Sequence, residues 1–144
     1  SWNAARTISF LNGRTETLKF QGNIGALGAL LTLSVGGSPV GGSRSVLWLA
    51  GTNGMLATTS SVTVGYLRVS NSSGLGNAAT TMWTVSSGAA LEHDGGISPT
   101  SARNVTITGP GPNSDGALRS VSGTNVWNGG ITVPVQSLAS PTRI

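Results

Sequence analysis

A chain of 144 residues has the length of one domain and can bury a core of ordinary size. Only 8% of its residues are charged and none is cysteine, so disulfide frameworks and thiolate metal sites are excluded. The net charge of +4, with a pI near 11.3, comes from seven Arg and one Lys against four acids. Those cations (Arg6, Arg14, Lys19, Arg44, Arg68, Arg103, Arg119 and Arg143) never stand closer than five residues apart, so they form no sequence-local patch of the kind nucleic-acid binders carry.

The chain is written in small residues, with 22 Gly, 20 Ser, 17 Thr and 10 Asn, and good helix formers are scarce. In chain order, short β-branched runs predict strands at Arg6 to Phe10, Glu16 to Phe20, Leu30 to Val35, Ser45 to Leu49, Ser61 to Val64 and Tyr66 to Ser70. Further runs follow at Met82 to Ser86, Ala90 to His93, Asn104 to Thr108, Ala117 to Val121 and Ile131 to Val135. Turn clusters fence them, among them Asn12-Gly13, Gly36-Gly37-Ser38-Pro39, Asp94-Gly95-Gly96 and Gly109-Pro-Gly-Pro-Asn113. Ile24 to Leu33 is the one apolar run with helical flavour. Two internal glycines weaken it as a helix and ten residues cannot span a bilayer, so it reads as a turn into a buried strand.

This is an all-β chain, and internal similarity decides between its two candidate architectures. A phrase of Gly, small residues, Leu and strand recurs from Gly28, Gly65, Gly88 and Gly116, at steps of 37, 23 and 28 residues. Gly-Thr-Asn stands at 51 to 53 and again at 123 to 125. Steps in the twenties fit one coil of a parallel β-helix, and 37 requires an insertion or a misread phrase. At roughly 24 residues a coil the chain would make about six coils, rising some 29 Å. Rungs stacked at about 4.8 Å put equivalent residues on top of one another, where like charges repel and Ser, Thr and Asn do not. The reading is a right-handed parallel β-helix forming a single solenoid domain over 1–144, with an antiparallel β-sandwich as the alternative.

Residues 65 to 133 carry a resemblance. Gly65-Tyr-Leu-Arg-Val-Ser-Asn-Ser-Ser-Gly-Leu-Gly76, Val85-Ser-Ser-Gly-Ala-Ala-Leu-Glu92, Gly95-Gly-Ile97 and Gly116-Ala-Leu-Arg-Ser-Val-Ser-Gly-Thr-Asn-Val-Trp-Asn-Gly-Gly-Ile-Thr-Val133 follow in an order similar to the autotransporter-associated β-strand repeat. The resemblance implies a parallel β-helical stalk on a secreted or surface-displayed bacterial protein. Residues 1–64 share only its style, Tyr66 stands where that family has a small residue, and its outer-membrane barrel has no counterpart here. Within this frame Gly123 and Asn125 supply a turn, Trp127 folds back over the solenoid as packing, and Gly129-Gly130 bend the backbone into the next strand.

Candidate chemistry is thin. Of the carboxylates Glu16, Glu92, Asp94 and Asp115, Glu92 and Asp94 would share one strand face with His93 on the other, a conceivable glycosidase pair. His-Asp-Gly-Gly is equally a strand running into a turn, and that reading is preferred. His93 is the only histidine and has no Gly-x-Ser-x-Gly elbow, so a nucleophilic triad is not expected. Asn113-Ser-Asp115-Gly lacks the ligand series of a calcium loop and reads as a turn. Gly74-Leu-Gly76-Asn-Ala-Ala79 fits a dinucleotide fingerprint formally but leads into a strand and not a helix. Asn71-Ser-Ser73 and Asn104-Val-Thr106 match glycosylation sequons, which arise easily in such a composition. Trp2, Trp48, Trp83 and Trp127 could form sugar platforms only if exposed together, and packing is preferred.

The expectation is therefore a non-catalytic extracellular structural module, a stalk or self-assembling fibre or coat subunit of a bacterial surface, or else a carbohydrate-binding adhesin. No catalytic, cofactor or metal residues are assigned. Ser1-Trp-Asn-Ala-Ala-Arg is not a secretory signal and no initiator Met is present, which reads as a processed product or an excerpt. Partners are expected to be further copies, by head-to-tail stacking or strand donation, with glycan contact possible. Nucleic-acid binding and membrane insertion by this segment are not expected.

Overall fold

The computed structural model describes residues 6–11, 16–23, 31–36, 44–53, 59–76, 82–99, 103–135 and 141–144. Among them are eleven strands and no helix. The strands are β1 (Arg6–Leu11), β2 (Thr17–Phe20), β3 (Leu31–Gly36), β4 (Val46–Leu49), β5 (Thr59–Val62), β6 (Gly65–Val69), β7 (Met82–Val85), β8 (Ala89–Asp94), β9 (Asn104–Ile107), β10 (Leu118–Ser122) and β11 (Ile131–Thr132). Each of the eleven predicted runs overlaps one of them. The largest departures are β5, which lies two residues ahead of the run Ser61 to Val64, and the last strand, which stops at Thr132 instead of Val135.

Even-numbered strands form one five-stranded sheet, in the order β10-β8-β6-β4-β2. Odd-numbered strands form the other side, as a four-stranded sheet β11-β9-β7-β5 and a pair β1-β3, with β3 lying beside β5. Every strand pair is parallel, so each coil contributes one strand to each side, and the antiparallel sandwich is excluded. The chain is a β-solenoid. The coil count differs slightly from the six expected: the even sheet holds five described rungs, and from β5 to β11, where both sheets are continuous, the chain makes about three turns. Long connections such as 108–117, between β9 and β10, consume residues without adding a rung.

The register exposes the true repeat. Leu18, Leu47, Leu67, Leu91 and Leu118 stand opposite one another on successive even strands, in steps of 29, 20, 24 and 27 residues. The leucines of the Gly65, Gly88 and Gly116 phrases belong to this column. Gly28 lies outside the described residues, and β3, which follows it, pairs with β1 instead, so that member of the phrase was misread. The turn read at Ile24 also lies outside the described residues.

Both sheets turn a face inward. On β7 and β9 burial alternates, with Trp83, Val85, Val105 and Ile107 inside, as the period of two requires. They meet Leu47, Leu49, Leu67, Val69 and Leu91 from the even sheet in one core. Each such side chain removed from water stabilises the fold by about 1.5–3 kcal/mol. Strand β8 departs from alternation: Ala89 to His93 are all buried, because its outer face is also covered.

The corners after even strands hold the rungs in step. Both Gly-Thr-Asn phrases stand there. At Gly51 a Cβ would lie 2.2 Å from the carbonyl oxygen of Gly22 one rung away, so only glycine lets the two backbones touch. The Asn125 side chain sews rungs together, accepting the Ile97 N–H at 2.8 Å while its amide donates to the Ser122 carbonyl at 2.8 Å.

Candidate functional site

Two places in the solenoid carry polar groups in unusual settings. The first is the outer face of the even sheet. Here Lys19, Trp48, Arg68, Glu92 and Arg119 stand in register on five successive strands, one coil apart each time. The Lys19 ammonium sits 3.8 Å from the centre of the Trp48 ring, and the Arg68 guanidinium lies 5.4 Å from the same ring.

Glu92 is the hub. It is fully buried, and its carboxylate accepts hydrogen bonds from Arg68 Nε at 2.9 Å, Arg119 Nη1 at 2.8 Å and Arg44 Nη2. Arg68 also faces Asp94 at 3.7 Å, and Arg119 faces Asp115 at 2.9 Å. Three guanidinium groups and three carboxylates thus form one network. Glu92 and Asp94 do share one side of β8, as the strand period requires, but both are bound to Arg68. The Glu92 side chain itself is wholly shielded from solvent.

The same guanidinium groups roof Tyr66. Arg44 lies 4.1 Å and Arg119 5.6 Å from its ring centre, and the ring packs with Val46, Ala90 and Trp48 as a small second core outside the sheet. The Tyr66 hydroxyl donates to Asp115 Oδ2 at 2.9 Å and accepts from Asn113 Nδ2 at 3.1 Å. Asn113-Ser-Asp115-Gly is therefore a turn clamped onto a phenol. Burial, then the bond to Asp115, pushes the Tyr66 hydroxyl above its ordinary pKa.

The second place is the β10–β11 end. Trp127 folds over the core there, its ring centre 5.2 Å from that of His93 on the inner face of β8. Gly129 makes this possible by close approach to the rung below, since a Cβ on it would lie 1.4 Å from the Arg103 carbonyl oxygen. Beneath Trp127 lies a half-open cavity of about 170 Å³, walled by Leu118, Val126 and Ile144 with His93, Ser120 and Asn125. His93 Nε2 and Trp127 Nε1 are buried without a hydrogen-bond partner. Desolvation holds the His93 imidazole at about 4, so it is neutral in ordinary buffers.

Around this end Val121, Val126, Ile131 and Val133 are exposed, and among the described residues no strand pairs with the outer edge of β10 or β11. The opposite end is similar. Leu18 and Phe20, which continue the inward columns of Leu47 and Leu49, are 42% and 37% exposed on β2.

The other residues singled out above fall into structural places. Trp83 is wholly buried and Trp127 packs on the core, so neither is a sugar platform. Trp48 is half-buried with its Nε1 donating to Ser70 Oγ at 2.7 Å, and Trp2 lies outside the described residues. The start of the dinucleotide-like stretch is a corner in which Leu75 enters the core and the Gly76 carbonyl receives the buried Arg103 guanidinium; its residues 77–79 lie outside the described ones. Asn71 and Asn104 spend their side-chain oxygens on the N–H groups of Ser73 and Gly130. Among the described residues no three His, Asp or Glu side chains cluster to hold a metal, and no helix is long and apolar enough to cross a membrane.

What sequence reasoning missed is the meeting of Arg44, Arg68 and Arg119 on one carboxylate. The signal was present as coil-length steps from Arg68 to Glu92 and from Glu92 to Arg119, once the leucine column supplies the register. Compared with known proteins, the chain matches no family model, no curated protein and no solved structure.

Proposed function

We propose that this chain is a non-catalytic structural β-solenoid module, a stalk or a self-assembling fibre or coat subunit outside a bacterial cell. The observation that carries the proposal is that, among the described residues, no strand pairs with the outer edge of the even sheet at either end, beside exposed apolar side chains. These are Leu18 and Phe20 on β2 and Val121 beside Val126 at the other end. An open parallel edge over an apolar column is an invitation to another rung, whether from more chain or from another copy. The low charge and the order of phrases in residues 65–133 support kinship with autotransporter-associated repeats and a place on the cell surface.

Head-to-tail association is the mode that such ends favour. Sedimentation velocity and electron microscopy over a concentration series test it: elongated particles that lengthen with concentration support it, and monomers throughout overturn it. A glycan-binding surface is the second reading and rests on Trp48, the one described tryptophan outside the main core. A glycan-array signal lost in Trp48→Ala would favour that reading.

A further inference from the structure

Residues 141–144 lie against the open end just described. Their backbone takes the next rung's place at the start of β10: Ala117 donates to the Arg143 carbonyl at 2.8 Å, and Arg143 donates to the Gly109 carbonyl at 3.3 Å. The Thr142 hydroxyl accepts the Gly109 N–H at 3.1 Å, and the Arg143 guanidinium donates to the Ser114 carbonyl at 2.9 Å. These bonds hold the segment without burying apolar surface, for Ile144 is 73% exposed even though it lines the cavity beneath Trp127. Hydrogen bonds at an exposed edge are readily exchanged for water, so the segment can leave at small cost.

The register of the even sheet says what would take its place. The column Phe20, Leu49, Val69, His93, Ser120 runs inward through all five strands. A sixth strand in the same register puts its Phe20 equivalent above Ser120, beside His93 and Trp127. The cavity there, about 170 Å³, is the size that takes an aromatic ring: one of about 150 Å³ binds benzene. Leu18 of such a strand would cover Leu118. The only described strand that ends a sheet with Leu and Phe on its inward column and exposed is β2 itself.

We infer that residues 141–144 are a displaceable cap on the β10 end, and that the strand they exclude is β2 of a second copy, whose Phe20 enters the cavity under Trp127. This rests on the head-to-tail reading and adds the register, the inserted side chain and the gate. One like-charge meeting follows from the same register: Lys19 of the arriving copy falls above Arg119. Association of the native chain therefore tightens as salt rises, which is the reverse of a contact built on ion pairs.

Sedimentation velocity on the full chain over a concentration series, with three variants, tests the inference. Arg143→Pro deletes the N–H to Gly109 and the guanidinium on Ser114, and it should lower the association midpoint about tenfold, the weight of one or two hydrogen bonds. Lys19→Glu sets an anion over Arg119 and should also lower the midpoint. Phe20→Asp should abolish association, alone and combined with Arg143→Pro. Because two variants gain association, misfolding cannot imitate the result. An Arg143→Pro midpoint equal to that of the native chain overturns the cap while leaving head-to-tail stacking in place. Association that survives Phe20→Asp overturns β2 as the occupant, and monomers in every sample overturn both this inference and the reading beneath it.

Discussion

Arg68 and Glu92 stand opposite each other on adjacent rungs, 24 residues apart in sequence, with Nε 2.9 Å from a carboxylate that Arg44 and Arg119 also hold. The pair is partly out of water: the Glu92 side chain is fully buried and that of Arg68 mostly so. A buried ion pair is weak support for stability in itself, yet breaking one from a single side is costly because the partners stay behind uncompensated.

Glu92→Gln should therefore destabilise the fold by about 3 kcal/mol, since three guanidinium groups lose their shared anion while β8 keeps its shape. Urea unfolding measures this as a lower midpoint with an unchanged slope. Arg44→Ala should cost less, because Arg44 is the most exposed of the three arginines and Arg68 and Arg119 continue to neutralise the carboxylate. Equal losses in the two variants would show that the network does not act through Glu92.

Tyr66→Phe isolates the phenol from its ring. The aromatic packing with Val46 and Ala90 survives, while the bonds to Asp115 and Asn113 are lost. The expected cost is about 1 kcal/mol, with faster amide exchange confined to residues 112–116. In the native protein the phenolate absorbance should rise only above the usual tyrosine range, because burial and Asp115 both disfavour the anion. A titration at the ordinary value would mean that the turn does not cover the hydroxyl.

The strands were legible because each satisfies a local rule: a short β-branched run closed by glycine or asparagine. Met82 to Val85 shows it, alternating exposed and buried without a break. Parallel stacking was legible from the recurrence of Gly-x-Leu at Gly65 and Gly116. The charged face was not, because placing Arg119 over Glu92 requires knowing that the ten residues 108–117 form a loop and not a rung. Nor could local patterning tell that Leu18 and Phe20 lie on an uncovered end, since their alternation matches that of any covered strand. Exposure there depends on which strand comes next in space, a property of the assembly of rungs.

Gly129→Ala tests the corner that seats Trp127. The added methyl would meet the Arg103 carbonyl well inside contact distance, with backbone on both sides, so one rung must lift from the other. A loss of about 2–3 kcal/mol is expected, together with greater exposure of Trp127 to a fluorescence quencher. Gly88→Ala makes a useful contrast: nothing lies near its Cβ, and its positive φ of 82° alone sets the cost at about 1 kcal/mol.

His93 gives the solenoid a pH dependence whose sign follows from its burial. Desolvation alone lowers its pKa from 6.5 to about 4 in the fold, beside Trp127 and under the β10 rung. Between those values the unfolded chain binds a proton that the folded chain refuses, so stability rises with pH across that window. The contribution is complete above about pH 6.5 and is lost progressively as pH falls towards 4, by at most about 3 kcal/mol. His93→Leu removes the titrating group and should flatten that slope while leaving stability at pH 8 within about 1.5 kcal/mol of the native chain. Thermal unfolding of the two proteins between pH 4 and 8 separates this from the carboxylates, which titrate in both. Parallel curves would mean that the imidazole charges in the folded state despite its burial.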